Sequence, residues 1–267
     1  MILCYASGDG LGHLTRLRSV LHTLGLDGPV TVVTGSPFGD DPRVTGGWRI
    51  VRSDSAAGPP TGLAPGGTPD EVIVDAFPAG LQGELTRGRI PSGARVTHLA
   101  RLLRWDAYAP RLPADPPRFD RTFLLEPTAP AHEAYLRAVS GEVLPLELTD
   151  PPSEPVDVDG WLIVHSGPEA ETRELVAYAH DMASAEGVRP PMTLVSPQKP
   201  DGLAPEVAYL DVYPAWRPGP NVERIVTAAG FNAVRQFAPW RGMHRMLPFP
   251  RSLDDQFTRA ARARNPR

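Results

Sequence analysis

Residues 2–13, Ile2-Leu3-Cys4-Tyr5-Ala6-Ser7-Gly8-Asp9-Gly10-Leu11-Gly12-His13, decide the fold class. The first five are a short apolar run that reads as a strand. Gly8, Gly10 and Gly12 then let the backbone turn tightly and approach a ligand closely. Beyond them Leu14, Leu17, Val20, Leu21 and Leu24 recur at helical spacing until Gly25 stops the run. Strand, glycine-rich turn and helix open a βαβ unit, and the helix N-terminus offers unpaired N–H donors and partial positive charge above the turn. An anion or a polar substrate fits such a place.

Two common nucleotide loops fail here. A dinucleotide fingerprint needs glycine at the sixth position from Gly8, which is His13, and an acidic residue closing the second strand, which instead ends Thr34-Gly35-Ser36. No Gly-Lys-Ser/Thr follows, so the loop is not a Walker motif. His13 at the mouth of the loop is placed to take a proton from a hydroxyl, because imidazole titrates near neutral pH. A histidine that merely caps the helix or fills the strand–helix corner accounts for the same residue, and the local residues leave both readings open.

The grammar of the first turn continues along the chain. Strands are predicted over Ile2 to Ala6, Val30 to Thr34, Arg49 to Arg52, Val72 to Asp75, Arg95 to Leu99 and Thr122 to Leu125, with a helix near Ala129 to Val139. Ser55 to Pro69, rich in Gly and Pro, reads as a long loop. Leu148 to Asp159 carries Pro151, Pro152 and Pro155 with no periodic pattern, and the linker is placed there. The second half restarts with strands at Trp161 to His165, Met192 to Ser196, Val207 to Val212, Arg224 to Thr227 and Arg245 to Pro248. Helices are predicted at Glu169 to Glu186, Asn232 to Phe237 and Leu253 to Arg264. The expected organisation is α/β: a first Rossmann-like domain over 1–149, a linker over 150–160 and a second Rossmann-like domain over 161–267, the two facing across a cleft. Asp75 ends a strand on the side where open α/β sheets place ligands. Its alternative is a cap on the segment that follows.

Composition removes other classes. The 267 residues carry 27 Lys and Arg, 31 Asp and Glu, and a net charge of -4, which gives no basic face for nucleic acid. All but Lys199 of the basic residues are arginine, so no arginine is promoted to a ligand on residue type alone. No run approaches the ~18 uncharged residues of a membrane span, although contact with a membrane surface stays open. The start shows neither a basic leader nor an Ala-x-Ala site, and a cytoplasmic location is expected. The single cysteine, Cys4, reads as a buried small hydrophobe. His132-Glu133 lacks the second histidine of a zinc-protease motif, and neither Asp40-Asp41 nor Asp254-Asp255 has an Asp-x-Asp context. No metal site is expected. His98 and Arg101 end the strand after Asp75 and share its geometry, but the arginine-rich background weighs against a cleft role for them; His165, Trp216 and Trp240 read as packing residues.

The residues also carry a resemblance. Gly8-x-Gly10-x-Gly12-His13 with Arg16, then Asp75-Ala76-Phe77-Pro78 with Gly80 and Glu84, resembles the amino half of GT-B glycosyltransferases. The similarity is to the family 28 type that includes the peptidoglycan N-acetylglucosaminyltransferase. Ala228 to Gln236, Leu247-Pro248-Phe249-Pro250 and Asp254 to Ala260 are similar to the carboxyl signature of that family.

The resemblance implies an acceptor held by the first domain and a nucleotide-diphosphate sugar, of the UDP-linked kind, held by the second. His13 matches the base beside the acceptor. Ser166 and Gly167 match the loop that touches the diphosphate, Gly230 and Asn232 match the turn and helix start beside the donor phosphates, and Asp255 and Gln256 match the pair that meets the donor sugar. One position departs: Gln236 stands where the family carries a glutamate that accepts both ribose hydroxyls, and an amide accepts only through its oxygen. The chain is also short for this fold.

The expected activity is therefore inverting, metal-independent sugar transfer to a hydroxyl, without a cofactor. Gln236 and the length motivate an alternative, a catalytically silent sugar-nucleotide or glycan-binding protein on the same scaffold. A sugar-nucleotide epimerase of similar fold is a third reading.

Overall fold

The computed structural model describes residues 1–53 and 68–265, so most of the Gly/Pro-rich stretch Ser55 to Pro69 lies outside the described residues. The chain divides into two units, one of Met1–Pro151 with Ser252–Asp254, the other of Pro152–Arg251 with Asp255–Arg267.

In the first unit the strands are β1 (Ile2–Ala6), β2 (Val30–Thr34), β3 (Arg49–Arg52), β4 (Glu71–Asp75), β5 (Arg95–Ala100), β6 (Phe119–Leu124) and β7 (Ser140–Pro145). Its helices are α1 (Leu11–Thr23), α2 (Pro42–Thr45), α3 (Trp105–Tyr108) and α4 (Pro130–Val139). All strands pair in parallel, in the order β3-β2-β1-β4-β5-β6-β7. Strands β1, β2 and β4 are buried at every position, as expected of a parallel sheet covered on both faces. Chain direction across the sheet reverses between β1 and β4, which leaves a crevice beyond the carboxyl ends of those two strands. Helix α1 is held down by its buried Leu14, Leu17 and Val20 and by Ser19, whose hydroxyl donates to Asp150 at 2.6 Å.

The segment Ser252–Asp254 belongs to this first unit. Leu253 is buried with Phe77, Leu103, Trp105 and Tyr108, the Leu253 carbonyl accepts from the Arg104 amide, and Asp254 forms an ion pair with Arg101. The terminal helix expected from Leu253 therefore begins later, at Gln256.

The second unit holds β8 (Gly160–Val164), α5 (Glu169–Ala185), β9 (Met192–Val195), β10 (Val207–Leu210), β11 (Val222–Ala228), α6 (Phe231–Gln236), β12 (His244–Leu247) and α7 (Gln256–Arg264). Its parallel order is β10-β9-β8-β11-β12, with the reversal between β8 and β11. Trp161, Ile163, Leu175, Leu194 and Val226 form the core between sheet and α5, and Val156 is buried against Leu162 and Ile225. No described helix is long and apolar enough to cross a membrane.

Candidate active site

Both halves of the first unit's crevice carry chemistry. β1 runs out through Ser7 and Gly8 into α1, whose first turn holds His13; β4 ends on Asp75. The residue after Asp75, Ala76, sits at φ +64°, a left-handed conformation that costs a non-glycine residue roughly 1–2 kcal/mol. That turn is fixed by a bond from the Ala76 amide to the Leu99 carbonyl and by Tyr108, which accepts from the Ala79 amide and donates to the Gly80 carbonyl, both at 2.9 Å. These contacts hold the strained backbone in place.

His13 Nδ1 lies 2.6 Å from Asp75 Oδ2. Arg16, one turn further along α1, places Nε 2.6 Å from Oδ1 and a terminal nitrogen 2.6 Å from Oδ2. Asp75 is buried. Burial alone would raise its carboxyl, but the Arg16 guanidinium and the bond from His13 outweigh it and hold Asp75 well below the usual carboxylate range. An ionised carboxylate only accepts, so His13 carries its proton on Nδ1 and leaves the Nε2 lone pair for chemistry. Burial pushes the imidazole below its ordinary value, and Asp75 partly restores it. The imidazole is therefore neutral near neutral pH.

The loop is shaped around this ring. Gly8 has φ +142°, and a Cβ there would stand 2.5 Å from His13 Nε2. Behind it Glu84 gathers four donors: Tyr5 Oη at 2.7 Å, Ser7 Oγ at 3.0 Å and the amides of Leu81 and Gln82 at 3.1 and 2.7 Å. A depression opens beside the loop at the ends of β1 and β2, lined by Tyr5, Ser7, Gly8, Asp9, Thr34, Gly35 and Ser53. Gly10 caps α1 through backbone alone and Gly12 lies in its first turn. Of the nearby histidines, His98 is buried against Phe119 and His132 against Trp105, and burial lowers them to about 4 and about 3.

In the second unit the corresponding strand ends are Ser166-Gly167 after β8 and Ala229-Gly230 after β11. A Cβ on Gly167 would meet His165 Nε2 at 2.5 Å, so any side chain there has to displace the buried His165 ring. Next to it, His165 Nε2 stands 3.2 Å from Glu171 Oε2, and Glu171 is gripped by both terminal nitrogens of Arg251. Gly230 differs: a Cβ would meet nothing, and its φ is -68°. The turn it makes is fixed from behind by Arg259, which donates to the Ala229 carbonyl at 3.1 Å. Asn232 and Gln236 lie on α6, both partly exposed. Asp255 and Gln256 make backbone bonds instead of standing clear of them: Asp255 Oδ1 caps α7 through the Thr258 amide at 3.0 Å, and buried Gln256 accepts from the Phe249 amide at 3.0 Å.

The structure thus brings His13 together with Gly8, Gly10, Gly12 and Asp75 around one turn, and sets Ser166 and Gly167 beside Gly230 on neighbouring strand ends. Four residues of these arrangements are not singled out as site residues by the sequence. Arg16 and Glu84 are motif positions whose partners lie 59 and 77–79 residues away, and the Glu171–Arg251 pair spans 80. Among the described residues no group of three or more His, Cys, Asp or Glu side chains gathers as a metal site.

No protein-family model matches the chain, and no curated protein matches it. Solved structures do. A glycosyltransferase of Streptomyces sp. SF2575 superposes with a TM-score of 0.53 at 13% identity, covering 93% of this chain and 82% of that one. The glycotransferase of kitacinnamycin gives 0.51 at 14% identity over 98% and 83%. The glycosyltransferase SnogD from Streptomyces nogalater gives 0.51 at 12% identity over 97% and 83%. With its two parallel-sheet α/β units, the chain has the fold of the GT-B glycosyltransferases.

Proposed function

We propose that this chain is a glycosyltransferase that moves a sugar from a nucleotide-diphosphate donor, UDP-linked as in the family 28 type, to a hydroxyl acceptor with inversion and without a metal. The observation that carries the reading is the His13–Asp75 pair in the crevice of the first sheet.

The acceptor hydroxyl gives its proton to His13 Nε2 as its oxygen attacks the anomeric carbon from the face opposite the leaving group. The new C–O bond forms while the bond from that carbon to the diphosphate oxygen breaks, and the electron pair leaves with the nucleotide diphosphate. Asp75 keeps the ring in the Nδ1–H tautomer and offsets the imidazolium as it forms. Donor recognition is assigned to Ser166, Gly167, Gly230, Asn232 and Gln236, where the turns after β8 and β11 present backbone amides to phosphate. Asp255 and Gln256 are assigned to the donor sugar by resemblance, and their backbone bonds fit a role in fixing the walls of that site.

The test is transfer itself. With a panel of sugar nucleotides and hydroxyl acceptors, the wild-type chain should release nucleotide diphosphate, and His13→Ala should lose roughly 100-fold or more in turnover with donor binding kept. A specific observation favours the second reading, a silent binding protein: Gln236 stands where the family it resembles carries a ribose-binding glutamate, and the first turn of α5 carries Glu169 and Glu171. Calorimetric binding of a sugar nucleotide without release of nucleotide diphosphate would select it.

A further inference from the structure

Asp75 is a poor partner for a base if it stands alone. A carboxylate buried without a cation is costly, one hydrogen bond leaves it able to rotate about its last torsion, and an uncompensated anion beside an imidazole draws a proton onto it. Any of the three would spoil a general base that must be neutral and aimed when the acceptor arrives.

The geometry points to Arg16 as the positioning residue that removes all three defects: its guanidinium fork clamps both oxygens of Asp75, and through that clamp it sets the plane, tautomer and charge of His13. The inference rests on the reading of His13 as the base. Arg16 is 3% exposed, and its Nε and one terminal nitrogen each lie 2.6 Å from a different Asp75 oxygen, the bidentate arrangement that fixes a carboxylate plane. Oδ2 is shared: it accepts from Arg16 and from His13 Nδ1, also at 2.6 Å. The same Arg16 nitrogen comes within 3.2 Å of Nδ1. Two donors do not bond to each other, so this approach records their convergence on one acceptor and leaves the Nδ1 proton a single direction.

Helix geometry supplies the rest. His13 and Arg16 are three residues apart in α1 and so share a face, while Asp75 meets them from the end of β4. With Asp75 paired, His13 senses a nearly neutral ion pair rather than a bare anion. The charged or titratable groups acting on its ring are Asp75 from β4, which favours protonation, and Arg16 from α1 and Arg101 from the segment after β5, which oppose it. A lysine would keep the charge and lose the fork.

The experiment is a proton–nitrogen correlation titration of the His13 ring in the full chain, run beside transfer kinetics, for wild type, Arg16→Lys and Arg16→Met. We expect Arg16→Lys to lose roughly 10- to 100-fold in kcat, the scale of a misaimed group, with KM nearly unchanged and the Nδ1–H signature weakened. Arg16→Met should raise the His13 titration midpoint by about one unit, the effect of removing a neighbouring cation. Should Arg16→Met fail to fold, Asp75→Asn with Arg16→Lys completes a cycle, and the pair should be no slower than Asp75→Asn alone. A folded Arg16→Lys variant with wild-type His13 signals overturns the inference whatever its rate. Failure of the base reading is separate: it shows as wild-type turnover in His13→Ala, with the titration result for Arg16 still standing.

Discussion

The bare α-carbon of Gly8 lies against the ring edge of His13, so closely that a Cβ would stand 2.5 Å from Nε2 and 2.9 Å from Cδ2. Glycine is required there twice over, because φ is also +142°. Gly8→Ala should push the ring off Asp75 and cost roughly 100-fold in turnover, the penalty of about 1 Å of misplacement, while sugar-nucleotide affinity stays at the wild-type value. Kinetics beside calorimetry check this; a rate within twofold of wild type would show that the ring does not need this seat.

Asp75→Asn tests the other side of the imidazole. The amide leaves Arg16 buried without its anion, an imbalance that costs about 3–5 kcal/mol, and its NH₂ group competes as a donor for the place Nδ1–H now occupies. Both turnover and thermal midpoint should fall, whereas His13→Ala should lower turnover alone. Differential scanning calorimetry of the two variants separates these outcomes.

Four buried histidines set an acid limit on stability. His98 and His132 in the first unit, and His165 and His244 in the second, are held by burial at about 4, 3, 4 and 3. Their folded values lie below the ordinary ~6.5, so the stability they contribute is present above pH 6.5 and is lost as pH falls towards about 4 for His98 and His165 and about 3 for His132 and His244. Each contributes a slope of up to about 1.4 kcal/mol per pH unit in that window. Neither ring nitrogen of His132 makes a hydrogen bond, and its ring stacks on Trp105 at 4.3 Å. His132→Phe should therefore raise the thermal midpoint of the first unit more at pH 5 than at pH 8. An equal shift at both pH values would remove His132 from the acid response.

Much of this arrangement is legible in the sequence, and the exceptions have physical reasons. β1, β2 and α1 are read correctly because parallel central strands are apolar throughout and α1 buries one clear stripe. β7 escapes notice because Ser140-Gly141-Glu142-Val143-Leu144-Pro145 contains Gly and Pro, follows α4 without a turn, and is an edge strand with most residues exposed. The start of α7 is misplaced because Leu253 satisfies the helical period of that stretch while its side chain is buried in the first unit. A strand-end rule places Asp75 at the carboxyl end of β4, and a helix-mouth argument places His13 in the first turn of α1. What no spacing announces is that the two touch, since their contact depends on the Ala76 turn and on a sheet order that places β4 beside β1.

Gly167 and Gly230 offer the last contrast. An added methyl at Gly167 meets His165 at 2.5 Å and Glu171 at 3.2 Å, so Gly167→Ala should destabilise the second unit outright. At Gly230 the space is open and φ is -68°, a value any residue adopts, so Gly230→Ala should leave the thermal midpoint of the unliganded chain within the range of neutral surface changes, about 0.5 kcal/mol. If donor phosphate approaches that backbone, the methyl fills its place and donor affinity should fall about 10-fold or more, equivalent to ~1.4 kcal/mol. Unchanged stability with weakened sugar-nucleotide binding is the expected pair of results from thermal melts and calorimetry. Unchanged binding would move the phosphate site away from the turn after β11.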